Sequence, residues 1–116
     1  MAFSPDAPFV SDVVDSCGSN ETDVVCVVLR WSAHSSQLKN RSAVWQLQGA
    51  SGGSTLDDVA STEFKTLAWS HEPFYLAPIR RNTPHHFRLA ARSETGHSRL
   101  STWSEQLSVN ASQPPQ

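Results

Sequence analysis

The sequence has 116 residues, of which 38% are hydrophobic, and its formal net charge is −2 at pH 7. A chain of this length forms one domain with a modest core, and so small a net charge gives no general attraction to nucleic acid or to an anionic membrane. Its apolar runs fall short of the roughly 18 residues that a membrane-spanning helix needs. The opening MAFSPDAPF also lacks the basic and apolar regions of a signal peptide.

The pattern along the chain is that of an all-β protein. Short runs rich in β-branched and aromatic residues alternate with serine, glycine, asparagine and proline, as strands alternate with turns. Seven strands are predicted, over residues 7–16, 23–31, 42–48, 62–69, 72–79, 84–92 and 100–109. The stretches between them are too short for crossover helices, which favours a seven-stranded β-sandwich over βαβ units.

Alternation within each strand assigns side chains to the core or to the surface. If Trp31 faces inward, so do the residues two, four and six positions before it, while Cys26, Val28 and Arg30 face outward. The same reasoning points Phe74, Leu76 and Ile79 inward. One contiguous core is predicted between the sheets, comprising Trp31, Trp45, Leu29, Leu47, Leu76, Phe87 and Leu89.

The two cysteines, Cys17 and Cys26, bracket GSNETDVV. They can form one disulfide or remain two free thiols, because the spacing fits both. Three asparagines lie in glycosylation sequons, namely Asn20, Asn40 and Asn110. Together these features favour a secreted or cell-surface context, with a cytoplasmic one as the alternative.

The stretch IRRNTPHHFRLAARSETG, residues 79–96, is the densest in polar chemistry. His85 and His86 are adjacent on a predicted strand, so they point to opposite faces and cannot chelate one ion together. No nucleophile elbow, paired-carboxylate motif or phosphate loop is present in the sequence. We therefore expect no enzyme activity, no metal site and no cofactor.

The basic side chains of this stretch can instead form an interaction patch. Five arginines and one glutamate fall in residues 80–99, whereas residues 1–29 hold five acidic residues and no basic one. Spaced cations on a rigid sheet suit an anionic polysaccharide, while an Arg/Trp ladder that merely covers apolar surface is the framework alternative. The candidate patch comprises Arg80, Arg81, His86, Arg88, Arg92 and Trp103.

The order of residues resembles a fibronectin type III domain over nearly the whole chain. The matching positions are Pro8, Trp31, Trp45, the corner Ile79-Arg80-Arg81-Asn82-Thr83, the alternation Phe87, Leu89 and Ala91, and the turn SETGHS. The resemblance implies an immunoglobulin-like sandwich. The sequence departs from the family pattern in three places: Arg81 replaces the corner proline, His85 replaces the corner tyrosine, and the cysteine pair is not a general feature of the family. We expect His85 to point inward and to bond the backbone, as the tyrosine hydroxyl would.

A narrower resemblance concerns RLSTWSEQ, which is similar to the Trp-Ser-any-Trp-Ser signature of class I cytokine receptors. That signature implies arginines of the sixth strand interleaved with tryptophans, and here Trp103 is expected to pack on Arg88 or Arg92. The first tryptophan of the signature is replaced by Leu100.

These observations predict an N-terminal extension over residues 1–6, a fibronectin type III-like domain over 7–110 and a linker over 111–116. The expected function is that of a non-catalytic protein-interaction or spacer module in a larger extracellular or cell-surface receptor or adhesion protein. The alternatives are a ligand-binding domain of a class I cytokine receptor and an intracellular scaffold module. The expected partner is a protein.

Overall fold

The protein is represented by a computed structural model, which describes residues 5–14, 23–32, 43–51, 64–95 and 98–110. Within these ranges the chain forms seven strands and no helix. The strands are β1 (Phe9–Val14), β2 (Val24–Arg30), β3 (Ala43–Ser51), β4 (Lys65–Ser70), β5 (Phe74–Arg80), β6 (His85–Ser93) and β7 (Leu107–Val109). Each corresponds to one of the predicted strands. No helix of the described residues is long and apolar enough to cross a membrane.

The strands form two antiparallel sheets. One has three strands in the order β1-β2-β5, and the other has four in the order β4-β3-β6-β7. All pairings are antiparallel. The predicted seven-stranded all-β sandwich is therefore confirmed.

The inner faces of the two sheets enclose one core. The buried cluster includes Leu29 and Trp31 from the first sheet and Trp45, Leu47 and Leu89 from the second. The rings of Trp31 and Trp45 meet edge to face, with centroids 6.4 Å apart, which is the geometry that aromatic pairs favour. Six of the seven predicted core residues belong to this cluster.

The prediction was wrong for Leu76, and for Phe74 on the same strand. Leu76 is 46% exposed and Phe74 is 44% exposed. The cause is the register of β5, in which Ala77 lies opposite Val27 and therefore faces the core. The apolar residues of FYLAPI lie on both faces of the strand, so hydrophobicity alone does not show which face is buried.

The last predicted strand is much shorter than expected. Residues 100–106 were predicted to continue it, but only Leu107–Val109 pair with β6 as a strand. Ahead of them the segment meets β6 through an isolated bridge between Arg92 and Arg99, through two backbone hydrogen bonds from Leu100 and Ser104, and through serine side chains. The serine hydroxyls thus supplement an interrupted backbone ladder.

Candidate functional site

The outer face of the four-stranded sheet carries a stack of cations and aromatic rings. Arg88 projects from β6, and its guanidinium carbon lies 4.3 Å from the ring centroid of Phe64 and 4.0 Å from that of Trp103. The guanidinium is thus held between two aromatic faces, and the whole residue is only 6% exposed. Such stacking suits arginine because its cation is planar and weakly hydrated.

Hydrogen bonds complete the environment of Arg88. Its Nε and Nη2 atoms both donate to Oε1 of Gln48 on β3, at 2.9 and 2.7 Å. Burial lowers the pKa of Arg88, and the positive charge of Arg99 lowers it further. The guanidinium nevertheless remains protonated at physiological pH, because its unperturbed pKa is so high.

Two further arginines approach the same tryptophan. The guanidinium carbons of Arg92 and Arg99 lie 5.5 and 5.9 Å from the Trp103 centroid. The Nε atom of Arg92 also donates to Oε1 of Gln46 at 2.7 Å, and burial followed by the charge of Arg99 lowers the pKa of Arg92. The prediction that Trp103 packs on Arg88 or Arg92 is confirmed, and the ring contacts both.

Two buried serines position Trp103 between them. The backbone N–H groups of Ala91 and Leu89 donate to the hydroxyl oxygens of Ser101 and Ser104, at 2.8 and 3.0 Å. Each hydroxyl in turn donates to the carbonyl of the residue that follows it, at 2.9 Å in both cases. The spacing of three residues between the serines fixes the irregular segment against β6 and directs Trp103 over the arginines.

His86 lies on the same face of β6 as Arg88, but its side chain is shielded from solvent. It is 1% exposed; its Nδ1 atom is 3.0 Å from Ser108 Oγ, and its Nε2 atom is buried without a hydrogen-bond partner. Because His86 and Arg88 are both buried, neither can present a surface to a partner. Of the other predicted patch residues, Arg92 and Trp103 lie together near the end of β6, whereas Arg80 and Arg81 lie by the start of β6; their interaction role stays a prediction.

The remaining two arginines of the patch lie at the β5–β6 corner. Arg80 donates from Nη1 to Asp23 Oδ2 at 2.6 Å, between two exposed side chains, and the backbone N–H of Arg81 donates to the carbonyl of Asp23 at 2.6 Å. Asn82 has a φ angle of 61°, a left-handed conformation that asparagine tolerates better than most residues. The corner is therefore closed by polar contacts where the family pattern has proline.

His85 makes the backbone hydrogen bond that was predicted for it at this corner. Its Nε2 atom accepts a hydrogen bond of 3.1 Å from the backbone N–H of Arg80, and its ring stacks on Phe87 with centroids 6.3 Å apart. Only the neutral ring can accept that bond. Burial lowers the pKa of His85, and the charges of His86 and Arg80 lower it further. The predicted half-buried, backbone-bonded histidine is confirmed.

Several predicted sites fall partly outside the described residues. Cys17, Asn20 and Asn40 lie outside them, whereas Asn110 is described and exposed. Cys26 lies on the outward side of β2, as predicted, between Val14 and Pro78 of the neighbouring strands, and it is nevertheless buried. No free cysteine occurs in the described part of the chain.

The cations on the outer face of the four-stranded sheet are held by contacts with other side chains of the same domain. In the ranges that the structure describes, no group of three or more histidine, cysteine, aspartate or glutamate side chains could hold a metal ion. The guanidinium groups are stacked or bonded to glutamines that sequence reasoning did not single out. Gln46 and Gln48 were recognisable only as outward residues of β3, and Phe64 only as a member of the strand predicted over residues 62–69.

Comparison with known proteins agrees with this geometry. No protein-family model and no curated protein matches the chain. Among solved structures, the chain is similar to the fibronectin type III domain of human fibronectin type III domain containing protein 3, with a TM-score of 0.63 and 16% sequence identity. The match covers 94% of this chain and 84% of that one. The chain therefore has the fold of a fibronectin type III domain.

Proposed function

We propose that this chain is a non-catalytic interaction or spacer module of a larger extracellular or cell-surface protein. The observation that carries the proposal is that the arginines of its densest polar cluster contact other side chains of the same domain. Arg88 is enclosed by Phe64, Trp103 and Gln48, an arrangement that stabilises a rigid scaffold. A rigid sandwich of this kind usually binds through the loops at its ends.

One end of the sandwich is the best candidate for the partner. Ala43 at the start of β3 lies opposite Ser93 at the end of β6, so these two strand ends lie at the same end of the sandwich. The β4–β5 turn joins them there, since His71 Nε2 lies 3.0 Å from Glu94 Oε1 and both side chains are well exposed. This end offers polar, adaptable contacts of the kind that protein partners use.

The proposed extracellular setting includes a Cys17–Cys26 disulfide. Cys26 is not free, and Cys17 is the chain's only other cysteine. A bond closing so short a loop contributes about 2–3 kcal/mol on the chain-entropy account. The oxidised pair and glycans on Asn20, Asn40 and Asn110 would each indicate passage through a secretory compartment.

Expression in secretory eukaryotic cells tests this setting. Intact mass with and without glycosidase, and non-reducing peptide mapping, should show sugar on at least one sequon and an intact disulfide. Single Asn→Gln variants at the three sequons serve as matched controls. A secreted chain that carries no sugar and two reactive thiols would contradict the proposal and favour an intracellular scaffold module.

A second candidate is the ligand-binding domain of a class I cytokine receptor. Two observations favour it: Arg88 and Arg92 both contact Trp103, and Ser101 and Ser104 bond the β6 backbone. Leu100 in place of the first tryptophan of the signature speaks against it. The flanking sequence of the full-length gene product decides the matter, because such a receptor carries a four-cysteine domain immediately upstream.

A further inference from the structure

Large apolar side chains lie exposed on the outer face of the three-stranded sheet. These are Phe9 and Val14 from β1 and Phe74 and Leu76 from β5, which expose between 38% and 53% of their surfaces. The strand registers bring them together, because Phe9 and Phe74 lie on either side of Arg30 on β2. Contiguous exposed apolar surface on a soluble domain usually marks an interaction site.

The same face carries one charge of each sign near its apolar centre. Arg30 lies with its guanidinium carbon 5.6 Å from the Phe74 ring centroid, and its Nε donates to Ser11 Oγ at 3.1 Å. Asp12 is exposed and lies opposite Val28 on β2, one outward row from Arg30. A surface that holds both signs around an apolar centre can complement a second copy of itself.

The strand register makes this face complementary to the same face of a second copy. Strands lie about 4.8 Å apart and rise about 3.3 Å per residue. On that grid, a twofold axis in the plane of the face that brings Arg30 of one copy over Asp12 of the other also brings Leu76 over Leu76 and Phe9 over Phe9. Phe74 then falls over Val14 of the second copy. Each match holds to within about 3 Å in the plane.

The size of the face sets the strength of such an association. The two phenylalanines expose roughly 200 Å² together, since an aromatic side chain presents about 150–250 Å². A face three strands wide and about 20 Å long lies well below the roughly 800 Å² per partner of a standard stable interface. A dimer formed here therefore belongs to the weak class.

We propose that the outer face of the β1-β2-β5 sheet is a weak self-association surface on which a second copy of this chain docks. The copies meet through a twofold axis near Leu76, with Arg30 of each facing Asp12 of the other. The inference rests on the sheet alone, so it stands or falls separately from the extracellular role proposed above.

Sedimentation velocity between about 10 µM and 1 mM tests the proposal. The weight-average mass of the native chain should rise with concentration, and Leu76→Arg should abolish the rise by placing like charges near the axis. Trp69→Arg is the matched control, because Trp69 is 43% exposed but belongs to the other sheet. Leu76→Ser takes the place of Leu76→Arg in this test if the arginine variant shows no cooperative unfolding transition.

Reversing the charges of Asp12 and Arg30, one at a time, tests whether the partner on this face is a second copy of the chain. Asp12→Arg and Arg30→Asp should each weaken self-association by at least about tenfold, because each puts like charges together at two symmetric places. An equimolar mixture of the two variants should restore association, since both contacts in the mixed pair then join opposite charges.

Three results would overturn the proposal. A native chain that stays monomeric to about 1 mM would assign the face to a different protein. Association that Leu76→Arg leaves intact, or that Trp69→Arg abolishes equally, would place the contact elsewhere. Failure of the mixed charge variants to recover would exclude the pairing of Arg30 with Asp12.

Discussion

Removal of the Trp103 ring should destabilise the domain by about 3–5 kcal/mol, a large share of the 5–15 kcal/mol of an ordinary domain. Trp103 is partly buried, so truncation to alanine gives up about 100 Å² of apolar contact, or roughly 2.5 kcal/mol. The contact with Arg88 at 4.0 Å adds to this. Cation–π pairs contribute about 0.5–1 kcal/mol when exposed and about 2 kcal/mol when desolvated, and the burial of Arg88 places it at the upper end.

A double-mutant cycle isolates the cation from the apolar contact. Arg88→Met keeps the aliphatic stem but removes the charge, and Trp103→Ala removes the ring. Equilibrium urea denaturation of the native chain, both single variants and the double variant should give a coupling free energy of about 1–2 kcal/mol. The coupling should change little between low and high salt, because a desolvated pair is poorly screened.

The matched control is the cycle between Arg88→Met and Phe74→Ala, which removes an exposed aromatic ring of the other sheet. Its coupling should be close to zero. A Trp103 coupling below about 0.5 kcal/mol would refute the reasoning, since it would mean that the ring stabilises the domain through its area alone.

Three further predictions follow from the fold. Trp31→Ala or Phe87→Ala should each lower the free energy of unfolding by about 3–5 kcal/mol, measured by reversible denaturation; a loss under about 1 kcal/mol would mean that the strand faces are reversed. Ser101→Ala and Ser104→Ala should each cost about 1–3 kcal/mol by leaving a buried β6 N–H unsatisfied, and hydrogen exchange at those amides should accelerate. Because burial lowers the pKa of His85, the unfolded chain binds a proton first, so stability should be intact above about pH 6.5 and fall from there toward the folded-state pKa. His85→Tyr should remove that fall, and parallel pH profiles of the two proteins would contradict it.

The strands were predictable because this chain separates them with strong turn residues. Alternation also predicted the inner face of β2 correctly, where Val27 and Leu29 are buried. It failed on β5, because Phe74 and Leu76 alternate with Tyr75, Ala77 and Ile79 and both faces read as apolar. Only the pairing register with β2 resolves that ambiguity, and register is a tertiary property that no single strand carries.

The patch on β6 shows a different limit of sequence reasoning. Alternation correctly placed Arg88 on the outer face of its sheet, and for most proteins an outward arginine is a solvated one. Here both rings lie on the outer face of the sheet: Phe64 reaches the guanidinium from the β4 edge and Trp103 from the β7 edge. These two residues are 39 positions apart in the chain, so their meeting over a single side chain is set by the strand order.

The enclosure of Arg88 makes it a poor binding site for a polyanion. The outer face of the four-stranded sheet gains rigidity because Arg88 and Arg92 are tied to Gln48 and Gln46 of β3. A polyanion that competed for Arg88 would have to break the bidentate contact and separate the guanidinium from two aromatic rings. The first change gives up two hydrogen bonds and the second exposes apolar ring surface, so binding there would oppose stability. This cost favours the two surfaces proposed above, the loop end near His71 and the apolar face of the three-stranded sheet, as the places where a partner binds.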